Sequence, residues 1–365
     1  MDRVSPSAVL VALSGPFKQR GEAALLSPFV RAECALSAGA DAVFALPVSR
    51  TLCGAEHYAL GAVSFLASLG ATHLAFGAES ADLKLLQRTA DLLEDPPAPL
   101  RAALHAALAR GKGWPAALSE AAGLCLGESR ALLCQPNNIL AVCYLRAVRR
   151  LGAALTPVVI PRSGSYHADR PDPAAPSASA LRDSLRRGNW QEALCCLPEP
   201  SAAAVRAAFL SGNVPDPARL DALLIGKLRG MTPEEAARLP DCSEGLDRAL
   251  LKAAERASSR EELITMLTGR RYSSARISRL CACALLGITR SSLEQAAPPS
   301  AALLLGIRKN PSLTGSWKNS SVQLLTASKW QESADPADLA AWKLWGIAAG
   351  LPASWPFARR LMTDR

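Results

Sequence analysis

Binding a phosphate takes cations, backbone that can come close, and oriented hydroxyls. Four loops of this chain qualify in whole or in part: Ser14–Glu22, Pro47–Thr51, Gly77–Ser80 and Arg162–His167. They carry small residues for close approach and, in Lys18, Arg20 and Arg162, cations for phosphate. Ser177-Ala-Ser179 opens a predicted helix, where free N–H groups and the helix dipole favour an anion. Arg182, one turn further, can reach the same anion. Each piece also has a plain structural reading. Paired serines cap helices, Lys18 and Arg20 serve as solvated charges, and Asn137-Asn138 serves as a turn and cap. Their joint appearance, in order, on one type of scaffold is what favours nucleotide chemistry.

That scaffold is read from the alternation of apolar runs and helices. Ala8–Leu13 is a buried-strand candidate, and Ser27 with Pro28 starts a helix that Gly39 ends. Ala42–Leu46 is a second strand, Ala55 to Ser68 a helix, Thr72–Phe76 a third strand and Leu83–Leu93 a helix. After a helical stretch over 97–150, Leu155–Ile160 returns to strand, and 161–176 reads as loop. This order predicts an α/β, Rossmann-like domain with a parallel sheet over residues 1–188. In such sheets, ligands bind beyond the carboxyl ends of the strands, where the four loops lie. From about 190 to 365 the pattern predicts helices only, Val322–Leu325 among them, as a separate all-α domain.

Composition narrows the class. At 365 residues, with 49% hydrophobic residues, the chain is long enough for two domains with full cores. The net charge of +9 points to a polyanionic partner. Ten cysteines fit neither a disulfide framework nor a zinc site, because most stand singly and Cys281-Ala-Cys283 has no second pair. They are expected to be structural thiols in a reducing cytoplasm. No apolar run approaches a membrane span, and no signal-peptide core follows the N-terminus.

Several stretches together resemble the tRNA(Met) cytidine acetate ligase family. They are Ser14–Ala24, Arg31–Asp41, Leu46-Pro47, Phe76-Gly-Ala-Glu79, Gln135-Pro-Asn-Asn-Ile-Leu140 and Arg162…Tyr166-His167. Ser177–Arg182 is similar to the second phosphate signature of the wider nucleotidylyltransferase superfamily. Gly269–Arg279, with Arg270, Arg271, Arg276 and Arg279, resembles the family's basic segment. A run of this kind suits RNA phosphates, and a solvated helix face explains it equally well.

The resemblance implies a two-step reaction. ATP and acetate give acetyl-adenylate, and the wobble cytidine of elongator tRNA(Met) then takes the acetyl group. It implies that Gly77, Asn137 or Asn138, and Arg162 hold the nucleotide, with Ser177, Ser179 and Arg182 near phosphate. Lys18, Arg20, Arg270, Arg271, Arg276 and Arg279 are the tRNA or phosphate candidates. Magnesium is expected with ATP. The family's H-x-G-H histidine signature is absent, since His57, His73, His105 and His167 all stand apart. The expectation is therefore an N-terminally shortened member, with Met1-Asp-Arg-Val leading into the fold's second strand and with little activity in this form. Two other readings stay open: a nucleotidyltransferase acting on a small metabolite, and a non-catalytic RNA-binding relative.

Overall fold

The computed structural model describes residues 4–162, 177–243, 245–269, 271–294, 300–317, 322–359 and 361–363. The chain forms two compact units. One comprises Met1–Cys53, Gly164–Leu267 and Ala275–Arg365; the other comprises Gly54–Ser163 and Thr268–Ser274.

In the first unit, β1 (Leu10–Ser14) lies parallel to β2 (Ala42–Leu46), in register from Leu10↔Ala42 to Ser14↔Leu46. The crossover helix Pro28–Ser37 starts where expected. Ser27 Oγ accepts from Val30 N at 3.2 Å, and proline occupies the first turn. Every residue of β2 is buried, as a strand covered on both faces requires. The sequence predicts the same burial for β1, yet all five of its residues are only half-buried.

In the second unit, β3 (His73–Ala78) runs parallel to β4 (Thr156–Pro161), in register from His73↔Thr156 to Ala78↔Pro161. Helices Ala55–Ser68, Leu83–Glu94 and Pro136–Leu151 build its core with Leu74, Phe76, Leu86, Val142 and Leu145. Helix Pro136–Leu151 ends on Gly152, in the left-handed region. All four strands read from the sequence form parallel pairs, held in two separate sheets.

The C-terminal part of the first unit departs from the helices-only expectation. β5 (Ala301–Ile307) pairs antiparallel with β2. β6 (Gln323–Leu325) and β7 (Met362–Thr363) both pair parallel with β5. Val322–Leu325, read as helix, is thus mostly strand. The cause is compositional: Ala301-Ala-Leu-Leu-Leu-Gly-Ile307 has no period-2 alternation and one β-branched residue, so pattern cannot separate it from buried helix. This long-range pairing also ties the C-terminal residues to the first sheet, so the compact units do not follow a break at 188/189. Behind the sheet, Phe29 packs on Trp342 at 5.4 Å between ring centroids, and Trp345 on Trp355 at 5.1 Å. Trp345 Nε1 donates to the Ala24 carbonyl at 2.7 Å, closing the chain after the first loop onto this aromatic core.

Candidate functional site

The loop after β1 is braced from below. Arg31 donates to the carbonyls of Ser14 at 2.9 Å and Gly15 at 2.6 Å. Phe17 is buried, Lys18 N donates to Glu22 O, and Gly21 N donates to Lys18 O, each at 2.8 Å. Gly21 sits at φ +76°, which suits a residue without Cβ. Lys18 Nζ meets Glu22 Oε2 at 2.5 Å, with the lysine side chain only 22% exposed. Burial lowers the Lys18 pKa below its ordinary value, and Arg182 and Arg186 push the same way against the pull of Glu22. Burial would raise the Glu22 carboxyl, but Lys18, Arg260 and Arg182 together hold it below the usual range. Lys18 and Arg182, separated by most of the sequence read as α/β, thus share one electrostatic neighbourhood.

At the helix Ala178–Arg186, Ser177 Oγ accepts from Ala180 N at 3.1 Å. The capping reading of Ser177 therefore holds. Ser179, 3.3 Å away hydroxyl to hydroxyl, is exposed. Arg20 contributes its carbonyl: the buried Ser278 donates to it, and Arg260 donates to Ser278. After β2, Val48 N donates to the buried Asp338, on the helix Pro336–Ala348, at 2.6 Å, and burial pushes that carboxyl up to about 7.

In the second unit, the carboxyl ends of β3 and β4 carry a clamp. Glu79 accepts from Asn137 N at 3.2 Å, Asn137 Nδ2 at 2.7 Å and Asn138 N at 2.8 Å. In return, Ser80 N donates to Asn138 Oδ1 at 2.9 Å. The carboxylate thus satisfies the amides that open helix Pro136–Leu151. Asn138 is buried and its carbonyl oxygen is committed, whereas Asn137 is half-buried with its amide oriented by Glu79. Arg162 N donates to Ala78 O at 2.8 Å, and its side-chain methylenes lie over Gly77, where a Cβ would sit 3.0 Å from Arg162 Cδ. The structure therefore brings Gly77, Asn137, Asn138 and Arg162 to one end of one sheet.

The basic segment is more occupied than its sequence implies. Arg276 donates to the Asp241 carbonyl at 2.9 and 2.6 Å and to Ser243 Oγ at 2.9 Å. Arg279 pairs with the Asp241 carboxylate at 3.4 Å. Both pin the 241–243 turn, in which Asp241 takes φ +56°. Arg271 is exposed, and Arg270, like Tyr166 and His167, lies outside the described residues. His57, His73 and His105 are exposed. Among the described residues, no three His, Cys, Asp or Glu side chains are placed to hold a metal, and no helix is long and apolar enough to cross a membrane. Sequence reasoning missed Glu79, Arg31, Arg260 and Ser278 as site residues. Glu79, Arg31 and Ser278 lie inside the quoted stretches Phe76–Glu79, Arg31–Asp41 and Gly269–Arg279, whereas Arg260 lies in none of them.

A largely parallel α/β scaffold with a cation-bearing loop after one strand and an Asn/Arg cluster at the ends of two others defines a nucleotidyltransferase-like protein. The family described as HIGH Nucleotidyl Transferase matches residues 2–347. A tRNA(Met) cytidine acetate ligase of Acetivibrio thermocellus is 31% identical over 90% of this chain and 83% of its own length. One from Syntrophomonas wolfei is 33% identical over 79% and 71%. The chain belongs to the tRNA(Met) cytidine acetate ligase family. The fold agrees: a crystal structure of Thermotoga maritima TmcAL superposes with a TM-score of 0.91 at 24% identity, covering 100% of this chain and 94% of the other. A second, of the same protein bound with alpha-thio ATP, gives 0.89 at 24% identity, covering 99% and 93%.

Proposed function

We propose that this chain, against the low activity expected without the H-x-G-H histidines, activates acetate with ATP and passes the acetyl group to the wobble cytidine of elongator tRNA(Met). The observation that carries the reading is the Glu79 clamp, which sets Asn137 beside Gly77 and Arg162 at the strand ends where this class of sheet takes nucleotides. It is joined by the names of the relatives.

In the first step, an acetate oxygen attacks the α-phosphorus of ATP, an O–P bond forms, and pyrophosphate leaves. In the second, the exocyclic amine of the cytidine attacks the acetyl carbon, AMP leaves, and the nitrogen loses a proton. Neither step needs a protein nucleophile; both need alignment and neutralised phosphate charge. Gly77 gives the Arg162 side chain room to lie over the strand end, Asn137 offers an oriented amide, Asn138 holds the loop through Ser80, and Arg162 supplies a cation. Within the first unit, Lys18, Ser179 and Arg182 are the phosphate candidates, and Ser177 fixes the helix start beside them. Arg20, Arg270 and Arg271 are the tRNA contacts, with Arg276 and Arg279 shaping the surface beside Asp241. No residue is assigned to magnesium, because no ligand set converges among the described residues. The work takes place in the cytoplasm, where tRNA is its partner.

Pyrophosphate release tests this. It is expected only when acetate is present and is expected to rise with tRNA. Release that is independent of acetate, or driven by a different acid, overturns the substrate assignment.

A further inference from the structure

We propose that Ser278 is a positioning residue. It docks the Ser14–Glu22 loop onto the helix Ser274–Leu286 and so sets where Lys18 meets phosphate. This rests on the reading of Lys18 as a phosphate contact.

The Ser278 side chain reaches the Arg20 backbone across 258 residues of sequence. A Cβ on Gly21 would lie 2.5 Å from the Ser278 carbonyl carbon and 2.7 Å from Arg279 N, so only a glycine lets the loop sit this low. The Ser278 hydroxyl donates to the Arg20 carbonyl, one residue before that contact and two after Lys18. Arg260 donates to the same hydroxyl, so Ser278 is held from behind in the orientation it needs. The Arg260 charge also acts on Glu22, the partner of Lys18. Ser278 is only 5% exposed, which means the bond forms away from competing water. Arg276 and Arg279, on the same helix, grip the 241–243 turn on either side of Ser278 in sequence. The helix is thereby fixed while it carries the loop. Ser278 itself meets no substrate and acts through the placement of Lys18.

The test uses the full chain with inorganic pyrophosphate and adenosine as separate probes in titration calorimetry. Lys18→Ala and Ser278→Ala are each expected to weaken pyrophosphate about tenfold, the scale of one buried hydrogen bond, and to leave adenosine unchanged. The double variant is expected to bind like Lys18→Ala alone, because both changes remove one interaction. Amide exchange of residues 18–24 is expected to quicken about tenfold in Ser278→Ala, the same single bond being lost. Arg260→Gln leaves the serine hydroxyl in place, so it serves if Ser278→Ala does not fold; a smaller loss in the same direction is expected. Full additivity of the two single variants, or wild-type pyrophosphate binding by Ser278→Ala, overturns the proposal. A Lys18→Ala protein that binds pyrophosphate normally overturns the phosphate reading of Lys18, and the proposal with it.

Discussion

Replacing Gly21 by alanine is the sharpest perturbation of the loop that follows β1. Two costs combine. The backbone at φ +76° suits glycine, and an alanine there costs about 1–2 kcal/mol in local strain. The new methyl would stand 2.5 Å from the Ser278 carbonyl carbon, 2.7 Å from the Arg279 amide nitrogen, and nearer still to the Ser278 oxygen. Comfortable carbon contacts begin near 3.5 Å, and these atoms belong to helix backbone, which cannot rotate aside. The loop must lift by about an ångström, which breaks the Ser278 bond to the Arg20 carbonyl and adds about 1–3 kcal/mol. The total is about 2–5 kcal/mol. Gly212→Ala is the control. It lies in the same unit at φ +68°, with nothing within 4 Å of its Cβ position, so it bears the strain alone. Urea unfolding of both variants, with amide exchange over residues 14–24, reads the difference. Equal losses in the two variants, or unchanged exchange in the loop of Gly21→Ala, would refute the packing argument.

Three further outcomes follow from the other contacts. Glu79→Ala removes the acceptor of three N–H groups and strands two helix-opening amides; a loss of about 2–4 kcal/mol in urea unfolding is expected, with weaker ATP binding. In Gly77→Ala, the methyl meets the flexible Arg162 side chain at 3.0 Å, so calorimetry is expected to show weaker ATP binding while the melting temperature barely moves. Burial holds the Asp338 carboxyl at about 7 against an ordinary 3.8, so the folded state keeps a proton that the unfolded state has lost. Stability contributed by this group therefore falls as pH rises from about 4 to 7, and Asp338→Asn is expected to flatten that fall in urea titrations across the range.

Local signals were legible where punctuation was strong. β2 and the helix Ala55–Ser68 match the sequence reading, the helix because Gly70 follows it closely. Ser27-Pro28 and Gly39 marked the first crossover helix equally well. β5 was illegible because a buried Leu/Ala run has no period to betray it, and its partner β2 lies far off at the other end of the chain. The site shows the same division. Gly77, Asn137 and Arg162 came from motifs, but Glu79 reaches Asn137 across 58 residues and Ser278 reaches Arg20 across 258. Arg276 and Arg279 read equally well as RNA phosphate contacts or as a solvated helix face; the structure adds Asp241, whose position no spacing rule predicts.

The most direct test of the account is the mass of the wobble cytidine in elongator tRNA(Met), taken from cells fed deuterated acetate, with and without the gene for this chain. The account predicts a deuterated acetyl group on that cytidine when the gene is present and an unmodified cytidine when it is deleted. An acetyl group that persists after deletion, or that never carries the label, would contradict it.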